Sequence, residues 1–344
     1  MVGAMLAVPP AAADASQHHA QSSSQTERCR ITDPGLAELS GLASDGRSWY
    51  AVADSGGSLR VPVLNPADCS VRDVWTSATD PYDVEDLALA PGGAVWLADT
   101  GDNQRRRETV ALHVLTGNGN SALYRLSYPD GPHDAEALLL DKSGIPYVVT
   151  KEPLGMAQIY RPAAPLQEGK TVPWAPVGTV TLPTTDTPGG PIAGVGTRLV
   201  TGGSVSPDGT MVALRTYTEA YLFEAPDGDV VAALRRPPIR IPLPNEVQGE
   251  AIAWEPDGTL LSASEGQQPV RALSGAAALL RPEPAPSPGR PDAGGTDSEN
   301  GGTTASEEPS GPEKNSGVPI APAVVVALGL AALLLFFLSR LRRR

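Results

Sequence analysis

Histidine and cysteine are scarce in this chain. Its 344 residues include four histidines and two cysteines. His18 and His19 fall in a polar N-terminal stretch, which leaves His113 and His133 to a folded domain. There is no G-x-S-x-G elbow, no H-E-x-x-H pair and no phosphate-cradling glycine loop. A serine–histidine hydrolase, a zinc peptidase and a P-loop enzyme therefore have no motif to stand on, no catalytic residue can be named, and any hydrolytic role would need metal-activated water. Two thiols cannot complete a four-ligand structural zinc site. Basic residues are also short: 26 Lys and Arg face 39 Asp and Glu, a formal net charge of −13. That field repels phosphate backbones and anionic headgroups, so nucleic acid is not an expected partner, whereas cations and cationic partners are favoured.

Uncharged apolar length is concentrated near the C-terminus. Residues 318–338 read VPIAPAVVVALGLAALLLFFL without a charge. A helix of about 20 such residues spans the hydrocarbon core of a bilayer and satisfies its own backbone there. Arg340, Arg342, Arg343 and Arg344 follow, so residues 339–344 are expected to be a basic cytoplasmic tail. Residues 1–15 end in small residues after a short apolar stretch, and read as the back half of a signal peptide whose start lies upstream of Met1. Residues 16–26 are a polar linker. Residues 282–317, rich in Pro, Gly, Ser and acidic side chains, cannot bury enough surface to order, and read as a stalk. No L-P-x-T-G sequence suggests sortase attachment. The expected product is a single-pass protein of the cell membrane whose domain, residues 27–281, lies outside the cell. In that oxidising compartment Cys29 and Cys69 are expected to form a disulfide.

Within the domain a pattern repeats. Asp45-Gly46, Gly92-Gly93, Ser143-Gly144, Asp208-Gly209 and Asp257-Gly258 are hairpin signals, with second glycines 47, 51, 65 and 49 residues apart. Eight residues before those glycines stand Glu38, Glu85, Glu136, Thr201 and Glu250; three after stand Trp49, Trp96, Tyr147, Val212 and Leu261. Repeats of 40 to 50 residues holding about four strands are the mark of a propeller blade. The fold class expected is all-β, a β-propeller of five or six blades, plus a C-terminal single transmembrane helix. The long third interval has room for an insertion or a sixth blade. The last repeat holds about three strands, and the N-terminal CRITD segment would supply its fourth and close the ring.

In a blade the first strand lines the channel and begins on the face where the second strand ends. That face would gather the repeated glutamates and the ends of the second strands. Glu38, Glu85, Glu136, Glu250, Asp83 and Asp134 are the candidate metal ligands. Asp83 and Glu85, like Asp134 and Glu136, share a side by strand alternation. Carboxylates crowded at one mouth need a counter-charge, and an all-oxygen set suits Ca²⁺. The competing reading has each glutamate accepting backbone N–H groups of a neighbouring blade. Asp54, Asp99, Asp102, Asn103, Lys151, Glu152, Arg215 and Glu265 complete the expected ligand face. Asp99 to Asn103, with Arg105 to Arg107 behind them, read as an oxygen-rich loop beside a cationic clamp, or as a solvated turn.

The phrases ELSGLA, DVEDLALA and DAEALLL, each followed by a turn and an aromatic strand, resemble the phytase-like secreted propellers, a family with esterase-like activity. They are also similar to the six-bladed group that includes gluconolactonase-like proteins. The resemblance covers most of residues 35–270 and implies a propeller with acidic, calcium-binding sites on one face. Three functions are in play: a cell-surface module for an extracellular ligand or protein, a calcium-dependent phosphoesterase or lactonase, and a purely structural spacer in the envelope.

Overall fold

The computed structural model describes residues 25–54 and 56–280. The leader 1–15, most of the linker, the stalk 282–317, the apolar run 318–338 and the basic tail 339–344 lie outside the described residues. Among the described residues no helix is long and apolar enough to cross a membrane.

Those residues form a β-propeller built of antiparallel meanders. The chain opens with β1 (Thr26–Arg30) and then runs through β2 (Leu39–Ser44), β3 (Trp49–Ala53), β4 (Leu59–Leu64) and β5 (Val71–Ser77). The second meander is β6 (Val84–Leu89), β7 (Val95–Asp99), β8 (Val110–Leu115) and β9 (Ser121–Ser127). The third is β10 (Ala135–Leu140), β11 (Pro146–Thr150), β12 (Met156–Pro162) and β13 (Thr171–Thr181). The fourth is β14 (Val200–Val205), β15 (Met211–Thr216), β16 (Glu219–Glu224) and β17 (Ile239–Pro242). The last, β18 (Gly249–Trp254), β19 (Leu260–Ser264) and β20 (Pro269–Leu273), takes β1 as its outer strand. Along β13 the pairing changes partner: Thr171 to Pro173 lie parallel to Arg125 to Ser127 of β9, which joins the second and third meanders into one sheet of eight strands.

Burial explains the order. The first strand of each meander is buried or nearly so along its length, whereas outer strands such as β5 and β1 are largely exposed. The apolar residues form separate cores, and each core lies between two consecutive meanders. Leu59, Val61, Leu87 and Leu97 fill one, Leu112, Leu138, Val148 and Trp174 the next, and Ile159, Val212, Leu214 and Phe223 a third. Leu222, Ile252 and Trp254 belong to a fourth, and Trp49, Leu42, Leu261 and Val270 join the last meander to the first. No sheet is stable alone; each buries its faces on two neighbours.

The turns form as their residues dictate. Gly46, Gly93, Gly144, Gly209 and Gly258 have φ between 73 and 82°, the left-handed region that glycine enters without strain. Asp45 Oδ1 accepts from the N–H groups of Arg47 and Ser48, and Asp141, Asp208 and Asp257 bind their own turns in the same way.

Each first strand carries a one-residue bulge at the same place. The extra residues are Ser40, Glu85, Glu136, Thr201 and Glu250. Hydroxyls there tie one meander to the next: Ser40 Oγ donates to the Val84 carbonyl at 2.8 Å and Thr201 Oγ1 to the Gly249 carbonyl at 2.8 Å. Thr100 Oγ1 does the same to the Ala135 carbonyl at 2.6 Å. Asp86, directly after the second bulge, is completely buried. Its Oδ1 accepts from Leu87 N–H at 2.8 Å, and its Oδ2 accepts from Leu138 N–H at 2.8 Å and Gly203 N–H at 3.0 Å. One side chain therefore cross-links β6, β10 and β14.

Closure matches the expectation with a shift. The strand that completes the last meander is Thr26–Arg30, so it starts upstream of the CRITD segment and ends inside it. Cys29 and Cys69 are bonded, Cα to Cα 5.6 Å, and link β1 to the turn between β4 and β5. The long third interval holds the extended β13 and a loop with a short 3-10 helix, Val195–Arg198, and no further meander among the described residues. Two short α-helices, α1 (Val230–Leu234) and α2 (Ala276–Leu279), decorate the edges; Asp229 caps α1 by accepting from Ala232 N–H.

Two stability changes are expected. Asp86→Ala leaves buried N–H groups of two other strands without an acceptor and should cost about 2–5 kcal/mol in denaturant unfolding; a loss within error would mean the cross-link is dispensable. Replacing Cys29 and Cys69 by serine opens a loop of 40 residues and should cost about 3–4 kcal/mol; the same titration measures it.

Candidate functional site

Where the first strands begin and the second strands end, backbone bonds close the meanders. Asp54 N–H donates to the Glu38 carbonyl, Gly101 N–H to Asp83, Lys151 N–H to Asp134 and Glu265 N–H to Gln248, at 2.8 to 3.1 Å. These bonds set the true correspondence of the repeats. Glu38 occupies the position of Asp83, Asp134 and Gln248, two residues ahead of the bulge. The bulge position in the first meander is Ser40, so Glu38 does not belong with the glutamates, contrary to the expectation. The reason is geometric: from bulge to turn glycine the first hairpin is two residues shorter than the second, so counting back from Gly46 overshoots.

Of the six candidate metal ligands the structure gathers three. Glu85, Asp134 and Glu136, all buried, each offer one carboxylate oxygen, and these atoms lie within 4.8 Å of one another. Asp83 stands beside them. A Cβ on Gly101 would collide with Glu85 Oε1 and with the Asp83 carboxylate, so glycine is what lets the loop after β7 close over this pair. Asp134 Oδ1 accepts from Asp102 N–H at 2.7 Å.

The cluster contains a cation of its own. Lys151 Nζ lies 2.6 Å from Glu136 Oε1 and 5.0 Å from the centroid of the Tyr217 ring. Burial by itself would lower the Lys151 ammonium, but Glu136, with Tyr217, Glu250 and Asp134 around it, carries it well above the ordinary lysine range. Glu250 is pushed well above the usual carboxylate range by burial; Lys151 opposes this, while Glu136 and Glu265 add to it. Gln248 donates from Nε2 to both Glu250 and Glu265, holding Glu265 at the rim. Glu136 and Lys151 thus form the ion pair, and burial disposes Glu250 to keep a proton.

The loop after β7 is a structural clasp. Asp99 accepts at Oδ1 from Asp83 N–H and from Arg107, and at Oδ2 from Tyr82 N–H; His113 Nε2 lies 3.1 Å from the same oxygen. Burial would raise the Asp99 carboxyl, but His113, Arg107 and the two N–H groups bring it down to about 2. Arg107 also donates to the Gly101 carbonyl and lies 4.5 Å over the Tyr82 ring. Asp102 Oδ2 accepts from Arg107 N–H, Arg105 pairs with Glu152 at 2.7 Å, and Asn103 is half-buried beside them. Asp99 and Asp102 are therefore spent on folding the loop, and Arg107 turns inward instead of clamping an anion.

Arg215 departs furthest from the expected ligand face. It is 0% exposed. Its guanidinium meets Glu246 at 2.6 Å and donates to the carbonyls of Thr216, Ala251 and Ala263 and to Ser262 Oγ. It staples the fourth meander to the fifth and faces no solvent. The sequence reading missed Asp86, Gln248 and Glu246. Gln248 was findable, since it precedes Glu250 by the same two residues that separate Asp83 from Glu85. Asp86 was not, because plain alternation turns it away from Glu85 and gives it no role.

No protein-family model matches this chain, and no characterised protein matches it in sequence. Among solved structures it is similar to a streptogramin B lyase, 12% identical with a TM-score of 0.39, over 72% of this chain and 96% of that one. A chain from a nidogen–laminin complex is 14% identical with a TM-score of 0.38, over 66% and 72%. A putative gluconolactonase is 13% identical, also at 0.38, over 65% and 69%. Likenesses this faint carry no argument about what the chain does, and the phytase-like resemblance rests on its three short phrases alone.

Lys151→Met would leave Glu136 buried without its ammonium, at a cost of about 3–5 kcal/mol near pH 7. The deficit should shrink on going to pH 5, as the carboxyls take up protons; unfolding curves at the two pH values test this. In the unaltered protein, Glu250 and Asp86 are raised by burial, so the stability they allow is full at low pH and declines as pH rises. Asp99 is depressed, so its contribution is full above its unfolded value of 3.8 and is lost as pH falls towards 2. Calorimetry should show a melting temperature that rises from pH 8 to pH 5 and falls below pH 4.

Proposed function

We propose that residues 25–280 are a five-bladed propeller acting as an extracytoplasmic binding module, with the acidic mouth as the seat of a cationic group on its ligand. The single observation that carries this reading is the approach of Glu85, Asp134 and Glu136 to within 4.8 Å of one another, with Asp83 and Glu250 close by and one lysine among them. Carboxylates concentrated in a recess of low dielectric focus a negative potential outwards. A Lys or Arg side chain, or a metal ion, is the complement of such a field. Five successive cores joining the meanders into a ring support the blade count. The Cys29–Cys69 bond agrees with an oxidising location, and the apolar run 318–338 with its basic tail supports a membrane anchor.

Catalysis by the protein's own side chains finds little support. His113 is engaged with Asp99, and His133 with Tyr160 and Asp130; both cysteines are in the disulfide. A second reading draws on the donor chemistry. An all-carboxylate set suits a hard cation such as Ca²⁺, and Glu85, Asp134 and Glu136 would hold it. A bound Ca²⁺ would supply Lewis-acid polarisation of a phosphoester or lactone. Around it Lys151 would keep Glu136 oriented, and Asp102 N–H would fix Asp134. The Lys151 ammonium, 2.6 Å from one of the ligand oxygens, works against a dication there and places this reading second.

Thermal unfolding of the purified protein separates the two. A ligand at 100 times its Kd adds about 2.7 kcal/mol, or roughly 5–10 °C for a domain of this size. A rise with an arginine-rich hexapeptide, absent in Glu136→Gln and not reproduced by calcium, is the expected result. A rise with calcium that a chelator reverses would favour the metal reading and call for a phosphoester and lactone screen. No response to either would overturn both.

A further inference from the structure

The carboxylates at the mouth are closed off in this structure. Glu85, Asp134 and Glu136 are each at most 6% exposed, and Tyr217, beside Lys151, is 2% exposed. Tyr217 follows β15, at the end where the second strands stop. The Lys151 ammonium lies 5.0 Å from the centroid of its ring. The connection from β13 to β14 packs on the same residue. A Cβ on Gly190 would stand 3.0 Å from Tyr217 Cβ, and one on Gly196 would stand 3.3 Å from its Cδ2. A route to Lys151 and Glu136 past Tyr217 therefore runs through this connection.

The connection is longer than its task requires. The other crossings from one meander to the next are residues 78–83, 128–134 and 243–248, whereas this one is 182–199. The extra length is closed on itself. Thr185 N–H donates to Thr197 Oγ1 at 2.9 Å, and Thr197 Oγ1 donates to the Gly194 carbonyl at 2.7 Å. Gly196 N–H donates to the Ile192 carbonyl at 2.9 Å within the same segment. The two ends of residues 185–197 thus meet, the mark of an Ω-loop, and only Gly196 and Thr197 among them are buried. The loop's hold on the rest of the fold is slight. Thr185 Oγ1 donates to Glu219, Asn245 N–H to the Pro188 carbonyl at 2.8 Å, and Gly190 N–H to the Glu246 carbonyl at 2.8 Å. Its flanks are firmer: Leu182 N–H donates to the Gly155 carbonyl at 3.1 Å, and Leu199 and Val200 are buried. A segment with its own internal bonds and little buried apolar surface opens as a unit at low cost.

We propose that residues 185–197 are a lid on the acidic mouth, lifting about their flanks to uncover Tyr217, Lys151 and the carboxylates beside them. The inference deepens the binding reading above and rests on it for what enters, a cationic group of the ligand. Closed, the lid keeps water from the Glu136–Lys151 pair, where a low dielectric strengthens the attraction. Open, it lets solvent and a cationic side chain reach the carboxylates. A cover of this kind gates access and sets the rate of association.

Tyrosine nitration by tetranitromethane, mapped by peptide mass, reads the lid without any ligand. The reagent attacks the phenolate, and burial holds the Tyr217 phenol well above its usual range, so the closed form reacts slowly. Because Thr185 and Thr197 already touch, residues 186–196 can be replaced by a Gly-Gly-Gly turn. In the full-length protein this should speed Tyr217 nitration by roughly tenfold or more. The melting temperature should be unchanged, and Tyr221, a core residue 1% exposed, should stay unreactive. Thr185→Val removes the bond to Glu219, which keeps Arg240 at 3.1 Å; it should speed the same reaction several-fold even if the shortened protein does not fold. Tyr217 nitration that no folded variant changes would overturn the lid. An arginine-rich hexapeptide should associate roughly tenfold faster with whichever folded variant nitrates faster than with the parent. Binding at equal rates to both forms would overturn the gate and leave the binding reading intact. Faster nitration with no peptide bound to either form would sink that reading and leave the lid.

Discussion

A single buried carboxylate holds the centre of this molecule. Asp86 accepts N–H groups from its own strand and from two others, β10 and β14. Burial works to raise its pKa and the three donors work against that. A carboxyl group has no place in an apolar interior unless its oxygens find donors, and here that requires three strands to converge on one point. The convergence is tight. A Cβ on Gly41 would come 2.7 Å from Leu87 N, and one on Gly203 would meet Leu139 and Ala137 at 2.8 and 3.2 Å. Larger residues at either position would push the strands apart and pull the donors from Asp86.

The bulge next to Asp86 connects this constraint to the site. A regular strand would send Glu85 and Leu87 to one side and Asp86 to the other. The extra residue rotates the chain, so that Asp86 reaches across the axis while Glu85 joins Glu136 and Asp134 at the mouth. The same bulge on β10 and β18 presents Glu136 and Glu250. Carboxylates brought this close in a dry recess cannot all remain charged without compensation. Two devices supply it. Lys151 is drawn into the cluster by the backbone bond that closes its own meander, since Lys151 N–H donates to the Asp134 carbonyl. Glu250 retains a proton more readily than a surface glutamate does. What is left is a buried cluster of carboxylates with its own ammonium.

The sequence made the repeats legible because their punctuation is local. A glycine at positive φ and an aspartate that binds its own turn identify a hairpin wherever they occur, and all the turns read this way are present. The mouth was also legible in outline: Glu85, Asp134 and Glu136 were named and they meet. The failures share a cause, which is that counting along a strand assumes regularity. Glu38 was matched to the glutamates because hairpin length was taken as constant. Asp86 was passed over because alternation was taken as unbroken. Arg215 was placed on the surface because the end of a second strand locates its backbone and says nothing of a partner such as Glu246, 31 residues further on.

Ring closure is what makes these local arrangements hold together. The last meander has three strands of its own, and without β1 its outer edge would be open to pairing with another chain. Thr26 to Arg30 fill that edge, but five residues of exposed, strongly charged strand bring little apolar burial with them. The register even slips at Glu27 and Cys29. The disulfide compensates for this weakness, because it ties the closing strand to the first meander rather than to the one it completes. Both sides of the seam are thereby held by one covalent bond and by the core of Trp49, Leu42, Leu261 and Val270. If the seam opened, the strands around Asp86 would be free to spread, and the carboxylate cluster would lose its shape. The carboxylate cluster therefore depends on the same few residues at the N-terminus of the fold.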